Sequence, residues 1–236
     1  MSRIRTAVIL AAGMGSRLRD MAPLKPLCPV AGKPLIDHAL DGLATAGFSR
    51  AIVILGYGGD EIARHLARRH GRLTLEAART PDWLQPNGVS VLAAAPLLAG
   101  EDAVLAMCDH LVTPDLYARL AYAGTGGGLR LGIDRRLGHP WIDPEDVTCV
   151  ATRGDRITAI AKGLETFDAY DTGVFAIGPA FLDVLATLSS PSISQGVTAL
   201  AARDLAFVED CSDLAWLDVD DAKALHAAEQ WMRAAA

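Results

Sequence analysis

The chain is poor in cysteine: four residues, at positions 28, 108, 149 and 211, in 236. No two are spaced as Cys-x-x-Cys, which excludes a disulfide framework and a zinc ribbon and is the usage of a reducing compartment. No apolar run approaches the roughly 20 residues that cross a bilayer, and the N-terminal one, Ala7 to Ala12, is too short for a secretory h-region. A basic excess is also missing: 22 Lys and Arg stand against 28 Asp and Glu, a net charge of −6, which argues against a nucleic-acid partner. Aromatics make up only 6%, leaving little for a cage around a quaternary ammonium. Neither an internal repeat nor a low-complexity linker interrupts the chain. Two familiar phosphate loops are absent as well. No G-x-x-x-x-G-K-[ST] occurs, and the one G-x-G, Gly13 to Gly15, has Leu18 where a dinucleotide fingerprint needs its third glycine. These absences predict a soluble, cytoplasmic protein with no membrane segment and no nucleic-acid partner.

What remains is 51% hydrophobic, enough for a sizeable core. We expect a single domain over 1–236. Apolar β-branched runs predict strands at 6–11, 51–55, 73–77, 103–107, 129–134, 147–152, 156–161, 173–177 and 215–219. Helical patterns fall at 35–46, 60–70, 91–98, 115–123, 179–188 and 221–235. Pro34 suits the first turn of the first helix, whose Leu35, Ile36, Ala39, Leu40 and Leu43 share a face, and Gly47 ends it. Strand–helix alternation through the first 110 residues implies an α/β fold, a Rossmann-like, mostly parallel mixed sheet with helices on both faces. The strand-rich stretch 129–177 is expected to add a small antiparallel lid. Gly124 to Gly128 reads as a loop or a seam between sub-domains.

Four constellations carry chemistry. The first strand runs into Ala11-Ala12-Gly13-Met14-Gly15-Ser16-Arg17. Glycines let backbone amides approach an anion, and successive amides in a turn form a nest for it. With Arg17 and Lys25 as fixed cations beside the nest, the segment suits a triphosphate. Next, the strand 103–107 leads to Cys108-Asp109-His110. A carboxylate at the carboxyl end of such a strand can hold Mg²⁺. His110 reads as a turn residue, because strand neighbours point to opposite faces and cannot share one ion. In Trp216-Leu217-Asp218-Val219-Asp220-Asp221, alternation puts Asp218 and Asp220 on one face, where a cation would relieve their repulsion; which is the nearer ligand stays open. Finally, Gln85-Pro86-Asn87-Gly88-Val89-Ser90 opens a helix with small polar residues that can present backbone groups to a base edge.

The first motif resembles the G-x-G-[ST]-R-[LM] … P-K segment of the nucleotidyltransferases that activate sugar and alcohol phosphates, a GT-A-like family. Asp109 and the Trp216–Asp220 segment match that family's two metal carboxylates. Leu24 before Lys25, Cys108 before Asp109, and Asp221 for a usual threonine depart from its pattern. The middle of the chain, Asp134-Arg135-Arg136, Trp141-Ile142-Asp143, Lys162-Gly163-Leu164-Glu165 and Asp171-Thr172-Gly173, is similar to CTP:inositol-1-phosphate cytidylyltransferases. The Asn-Gly-x-Ser form at 87–90 resembles cytidylyltransferases for phosphocholine and inositol phosphate.

The resemblance implies transfer of CMP from CTP to a phosphorylated polyol such as inositol 1-phosphate, with Mg²⁺ as cofactor and a CDP-alcohol and pyrophosphate as products. Arg17 and the amides of Gly13 to Gly15 would hold the departing phosphates, and Lys25 would neutralise charge between the substrates. Asp109 with Asp218 or Asp220 would hold the metal. Lys162 and Asp171-Thr172-Gly173 would receive the acceptor, aided by Asp134, Arg135, Trp141 and Glu165. A membrane-bound transferase would consume the product. Two other expectations stand beside this one: a uridylyltransferase for a sugar 1-phosphate such as N-acetylmuramate 1-phosphate, and a nucleotide-binding protein without turnover.

Overall fold

The structure, a computed structural model, describes residues 3–140 and 142–234. In chain order the elements are β1 (Thr6–Ala11), β2 (Pro29–Val30), β3 (Lys33–Pro34), α1 (Leu35–Thr45), β4 (Arg50–Leu55), α2 (Gly59–Ala67) and β5 (Thr74–Arg79). There follow α3 (Asn87–Leu92), α4 (Ala95–Leu98), β6 (Ala103–Met107), β7 (His110–Val112), α5 (Pro114–Ala123) and β8 (Leu129–Asp134). The remainder is β9 (Thr148–Arg153), β10 (Arg156–Lys162), β11 (Ala169–Ile177), α6 (Pro179–Ala186), α7 (Ile193–Ala201), β12 (Ala206–Asp210), β13 (Trp216–Asp218) and α8 (Ala222–Ala234).

Nine strands form one mixed sheet in the order β5-β4-β1-β6-β11-β8-β12-β10-β9. Parallel pairing is confined to its first four strands and to β12 on β8; the other ladders are antiparallel. Strand β9 also pairs with the start of β11, so the five strands from β11 to β9 return on themselves. Of the stretch expected as a lid, β8 and the C-terminal half of β11 are therefore inner strands of the main sheet, and β9 and β10 lie at its end.

Alternation along the strands sorts the core into two faces. Ala7, Ile9 and Ala11 of β1 pack with α1, α2 and α5, while Val8 and Leu10 face α3, α4, α6 and α7. A third, smaller cluster ties Leu18, Cys28 and Val30 to Leu111, Leu217, Val219 and Leu225. It clamps the segment after β1 onto β7, β13 and α8.

Several departures from the sequence reading have local causes. The helix expected at 91–98 is two helices, α3 and α4. Pro96 lies in the first turn of α4; it lacks an N–H and its ring would collide with the carbonyl of Leu92 had the helix continued. Strand β11 starts at Ala169 rather than Gly173, running through an irregularity between Asp171 and Phe175 where Gly173 has φ +76°. Helix α7 and strand β12 were not anticipated. Ser192 and Gln195 form a reciprocal capping box at the start of α7, a signal present in the sequence. Gly124 to Gly128 is a packed turn, with the Gly128 amide donating to Thr125 O and the Gly178 amide to Gly128 O.

Asp134, expected at the acceptor site, is 1% exposed and closes β8 instead. It accepts hydrogen bonds from Arg136 Nη2 (2.7 Å) and Trp216 Nε1 (2.8 Å). Burial opposes its charge, but the Arg136 side-chain and backbone donors and Trp216 hold its carboxyl below the usual range. Removing it strands a buried indole N–H and an arginine. Because Arg136 is 39% exposed, we expect Asp134→Ala to cost about 2–3 kcal/mol, less than a wholly buried pair. A lowered carboxyl stabilises above its unfolded pKa and is lost as pH falls through the folded one. The deficit in urea unfolding should thus be full at pH 7 and shrink below about pH 4.

Candidate active site

The site forms where the carboxyl ends of β1 and β6 meet β7 and β13. Two adjoining clefts share Arg17 and Asp220. One, about 310 Å³, is lined by Gly13, Gly15, Ser16, Arg17, Lys25, Asp109 and Asp220. The other, about 250 Å³, is lined by Arg17, Asn87, His110, Asp146, Lys162, Asp171, Asp218 and Asp220 among others.

Gly15 sits at φ +59°, and a Cβ there would fall 2.3 Å from Lys25 Cβ. The turn is thus folded around the lysine stem, which is 6% exposed. Leu24, standing where the family pattern has proline, is buried in the notch over Gly58, where a Cβ would meet its side chain. The substitution leaves Lys25 directed into the site. Its ammonium contacts Asp109 Oδ2 at 2.6 Å and also pairs with Asp220. Arg17 Nη2 bridges Asp220 Oδ2 (2.5 Å) and Asp146 Oδ2 (2.6 Å). Asp146 in turn pairs with Lys162.

The electrostatics follow from this packing. Burial opposes the charge on Lys25, yet Asp109 and Asp218 raise its pKa overall. Burial likewise opposes the charge on Asp109, and Lys25 and His110 lower its pKa. The Lys162 hydrogen bond, with help from Arg17, lowers Asp146. Desolvation pushes Asp171 up to about 6. For His110, burial works against protonation but Asp218, and then Asp109, overcome it and raise the pKa to about 9.

His110 is not a turn residue. It opens β7, directly opposite Asp218 of β13. Cys108 and Asp109 form the turn between β6 and β7, so strand alternation does not separate Asp109 from His110. Ligand atoms of Asp109, His110 and Asp218 lie within 4.8 Å of one another, as do those of Asp146, Asp218 and Asp220. Asp218 Oδ1 is buried with no hydrogen-bond partner. An oxygen-dominated donor set with one orphaned carboxylate oxygen fits a hard divalent cation.

The remaining expected residues divide. Lys162, Asp171 and Gly173 line the second cleft, as does Asn87. Asn87 Oδ1 accepts from the Ile193 amide at 2.9 Å and Gln85 Oε1 from Ser190 Oγ at 2.8 Å, so this motif packs on the start of α7. Gly88 is required there, since a Cβ would lie 2.5 Å from Pro191 O. Ser90, Ala11 and Ala12 are buried, and none of them, nor Met14, lines either cleft. Thr172 is wholly buried, donating to Gly132 O at 2.8 Å. Arg135 pairs with Asp168, away from the clefts. Glu165 is exposed outside them, and Trp141 lies outside the described residues. Asp146 was missed; its only sequence signal is the acidic run Asp143-Pro144-Glu145-Asp146.

Fold and site together define a nucleotidyltransferase. The profile of the MobA-like NTP transferase domain matches residues 7–160, and the chain belongs to that family. The "bifunctional IPC transferase and DIPP synthase" of Rubrobacter xylanophilus is 32% identical over 231 residues, covering 95% of this chain and 51% of that protein. The "CMP-5'-(3-aminopropyl)phosphonate synthase" of Streptomyces rubellomurinus is 29% identical over 230 residues, 91% of this chain and 37% of that protein. The chain thus spans about half or less of the length of these curated relatives. Among solved structures, the inositol-1-phosphate CTP transferase from T. maritima superposes with a TM-score of 0.87 over 98% of this chain and 96% of that one, at 21% identity; it shares the fold.

The seat of Lys25 yields a direct test. Gly15→Ala places a Cβ against the lysine stem and puts a non-glycine residue in the left-handed region. It should lower stability by about 1–3 kcal/mol and weaken pyrophosphate binding, measured by calorimetry, by at least ~10-fold. Unchanged affinity would mean that Lys25 does not shape the anion site.

Proposed function

We propose that the protein transfers CMP from CTP to inositol 1-phosphate, forming CDP-inositol and pyrophosphate, with Mg²⁺ as cofactor. The observation that carries this reading is the junction of the two clefts at Arg17 and Asp220. A nest with two cations suits a triphosphate, and a cleft with Lys162, Asp171 and Asn87 suits a hydroxylated phosphate ester. The names of the Rubrobacter relative and of the T. maritima structure support the choice of acceptor. The single domain's segment between β8 and β11 then serves as the acceptor lid.

A phosphate monoester has a second pKa near ~6 and is mostly dianionic at pH 7. Its oxygen attacks the α-phosphorus in line, the bond to the β-phosphate bridging oxygen breaks, and pyrophosphate leaves with that electron pair. No protein base is needed, so catalysis is positioning and charge stabilisation. Arg17 and the turn amides hold the β- and γ-phosphates. Lys25 lies between the two polyanions, and Lys162 draws in the acceptor. Asp109, Asp218 and Asp220 would hold Mg²⁺, which when bound neutralises charge developing on the α-phosphate. The carboxylates now paired with Arg17 and Lys25 would be free to hold the metal once those cations engaged the nucleotide.

Among the described residues no helix is long and apolar enough to cross a membrane, and the reading assigns consumption of the CDP-alcohol to a membrane-bound transferase. All four cysteines are free, in keeping with a cytoplasmic site of action.

Two measurements test the proposal. Pyrophosphate release across CTP, UTP, GTP, ATP and dTTP with a panel of phosphorylated polyols, sugar 1-phosphates and phosphocholine should favour CTP over UTP by at least ~10-fold in kcat/KM, the scale of one unpaired buried polar group. Inositol 1-phosphate should be the best acceptor. A preference for UTP with a sugar 1-phosphate would replace this reading with the uridylyltransferase; no release with any pair would leave a binding protein. Separately, Asp109→Asn should remain folded and lose at least ~10²-fold in kcat; near-normal Mg²⁺-dependent turnover would remove Asp109 from the chemistry.

A further inference from the structure

His110 is held by Trp216, Thr172 and Asp218, and the mechanism above gives it no task. Its ring stacks on Trp216, with centroids 6.2 Å apart and planes 13° from parallel. Trp216 is itself tied by its indole N–H to Asp134 at 2.8 Å. His110 Nδ1 lies 2.9 Å from Thr172 O. A carbonyl oxygen only accepts, so Nδ1 carries a proton and donates it there. On the far side, Nε2 faces Asp218 Oδ2 at 3.5 Å. The backbone makes room for the ring: a Cβ on Gly173 would lie 2.2 Å from His110 Nδ1, and Gly173 holds φ +76°. Strand β11 thus spends an irregularity on admitting this imidazole.

We propose that His110 is a positioning residue, fixing one carboxylate oxygen of Asp218 so that the other, Oδ1, is turned toward the divalent cation. The inference rests on the Mg²⁺ reading above. Nδ1 is engaged by Thr172, and Nε2 is thereby aimed at Asp218 Oδ2, so the ring is seated against the carboxylate. Asp218 Oδ1, by contrast, is buried and without a partner. A carboxylate with an ordered imidazole beside one oxygen and nothing on the other is oriented before the ion arrives. The arrangement reverses the common one, in which a ligating histidine is oriented by a carboxylate that does not itself bind the metal.

The test follows Mn²⁺ uptake by electron paramagnetic resonance, using the full chain with and without CTP and comparing wild type, His110→Ala and His110→Gln. The expected result is a 10–100-fold weaker Mn²⁺ affinity in His110→Ala, the scale of losing an outer-shell partner. Partial recovery is expected in His110→Gln, whose amide can donate to Asp218. Raising Mg²⁺ should restore much of the lost kcat in His110→Ala. A purely structural role would lower the melting temperature without this metal dependence. Spin-echo modulation on wild-type Mn²⁺ protein should show no directly bound imidazole nitrogen, and this measurement does not depend on any variant folding. Equal Mn²⁺ affinity in all three proteins overturns the inference and leaves the metal reading intact. A directly bound nitrogen overturns it by making His110 a ligand. No uptake by wild type under either condition brings down both.

Discussion

Asp220 holds the site together. Its two oxygens receive Lys25 and Arg17, linking the turn after β1 to the segment after β13 across 203 residues of chain. A lysine as buried as Lys25 is tolerated only when paired, because an unpaired buried charge costs several kcal/mol. Clustered carboxylates would in turn protonate rather than share a site as anions. Each set of charges is therefore stable only because the other is present. On the proposed function, triphosphate oxygens would replace the carboxylates as partners of Arg17 and Lys25, and Mg²⁺ would replace those cations as the partner of the carboxylates.

The fold serves this balance. The carboxyl ends of β1 and β6 deliver the anion turn and Asp109 to one edge of the sheet. The short β7–β13 ladder carries His110 and Asp218 to the same edge, and the small core of Leu18, Val30, Leu111, Leu217 and Leu225 holds that ladder against the turn. Loss of packing there would displace cations and carboxylates together, although none of those residues lines either cleft.

Legibility in the sequence followed distance along the chain. Strands β1, β6 and β8 were read to the residue, because each is a compact apolar run with its own punctuation. Gly15, Arg17 and Lys25, which the fold brings to one cleft, stand out in the sequence because a glycine turn after a strand, followed by cations, is a local pattern. His110 was misread because its partner Asp218 is brought beside it only by a ladder between three-residue strands, too short to carry a periodic pattern. Asp146 sits in an irregular segment, and its contacts with Arg17 and Lys162 are tertiary. Asp134 was placed in the acceptor site by resemblance, whereas its surroundings commit it to Arg136 and Trp216. Helix α7 is the exception: its Ser192–Gln195 capping box is local, and so open to a sequence reading.

The central claim is that this resting ion network is exchanged for metal and triphosphate. A crystal structure with CTP and Mg²⁺ tests it most directly. The account predicts Arg17 and Lys25 on phosphate oxygens, the contacts of Asp220 with both cations broken, and oxygens of Asp109 and of Asp218 or Asp220 at about 2.0–2.1 Å from the ion. A triphosphate bound elsewhere, with Arg17 and Lys25 still paired to Asp220 and Asp109, would contradict it.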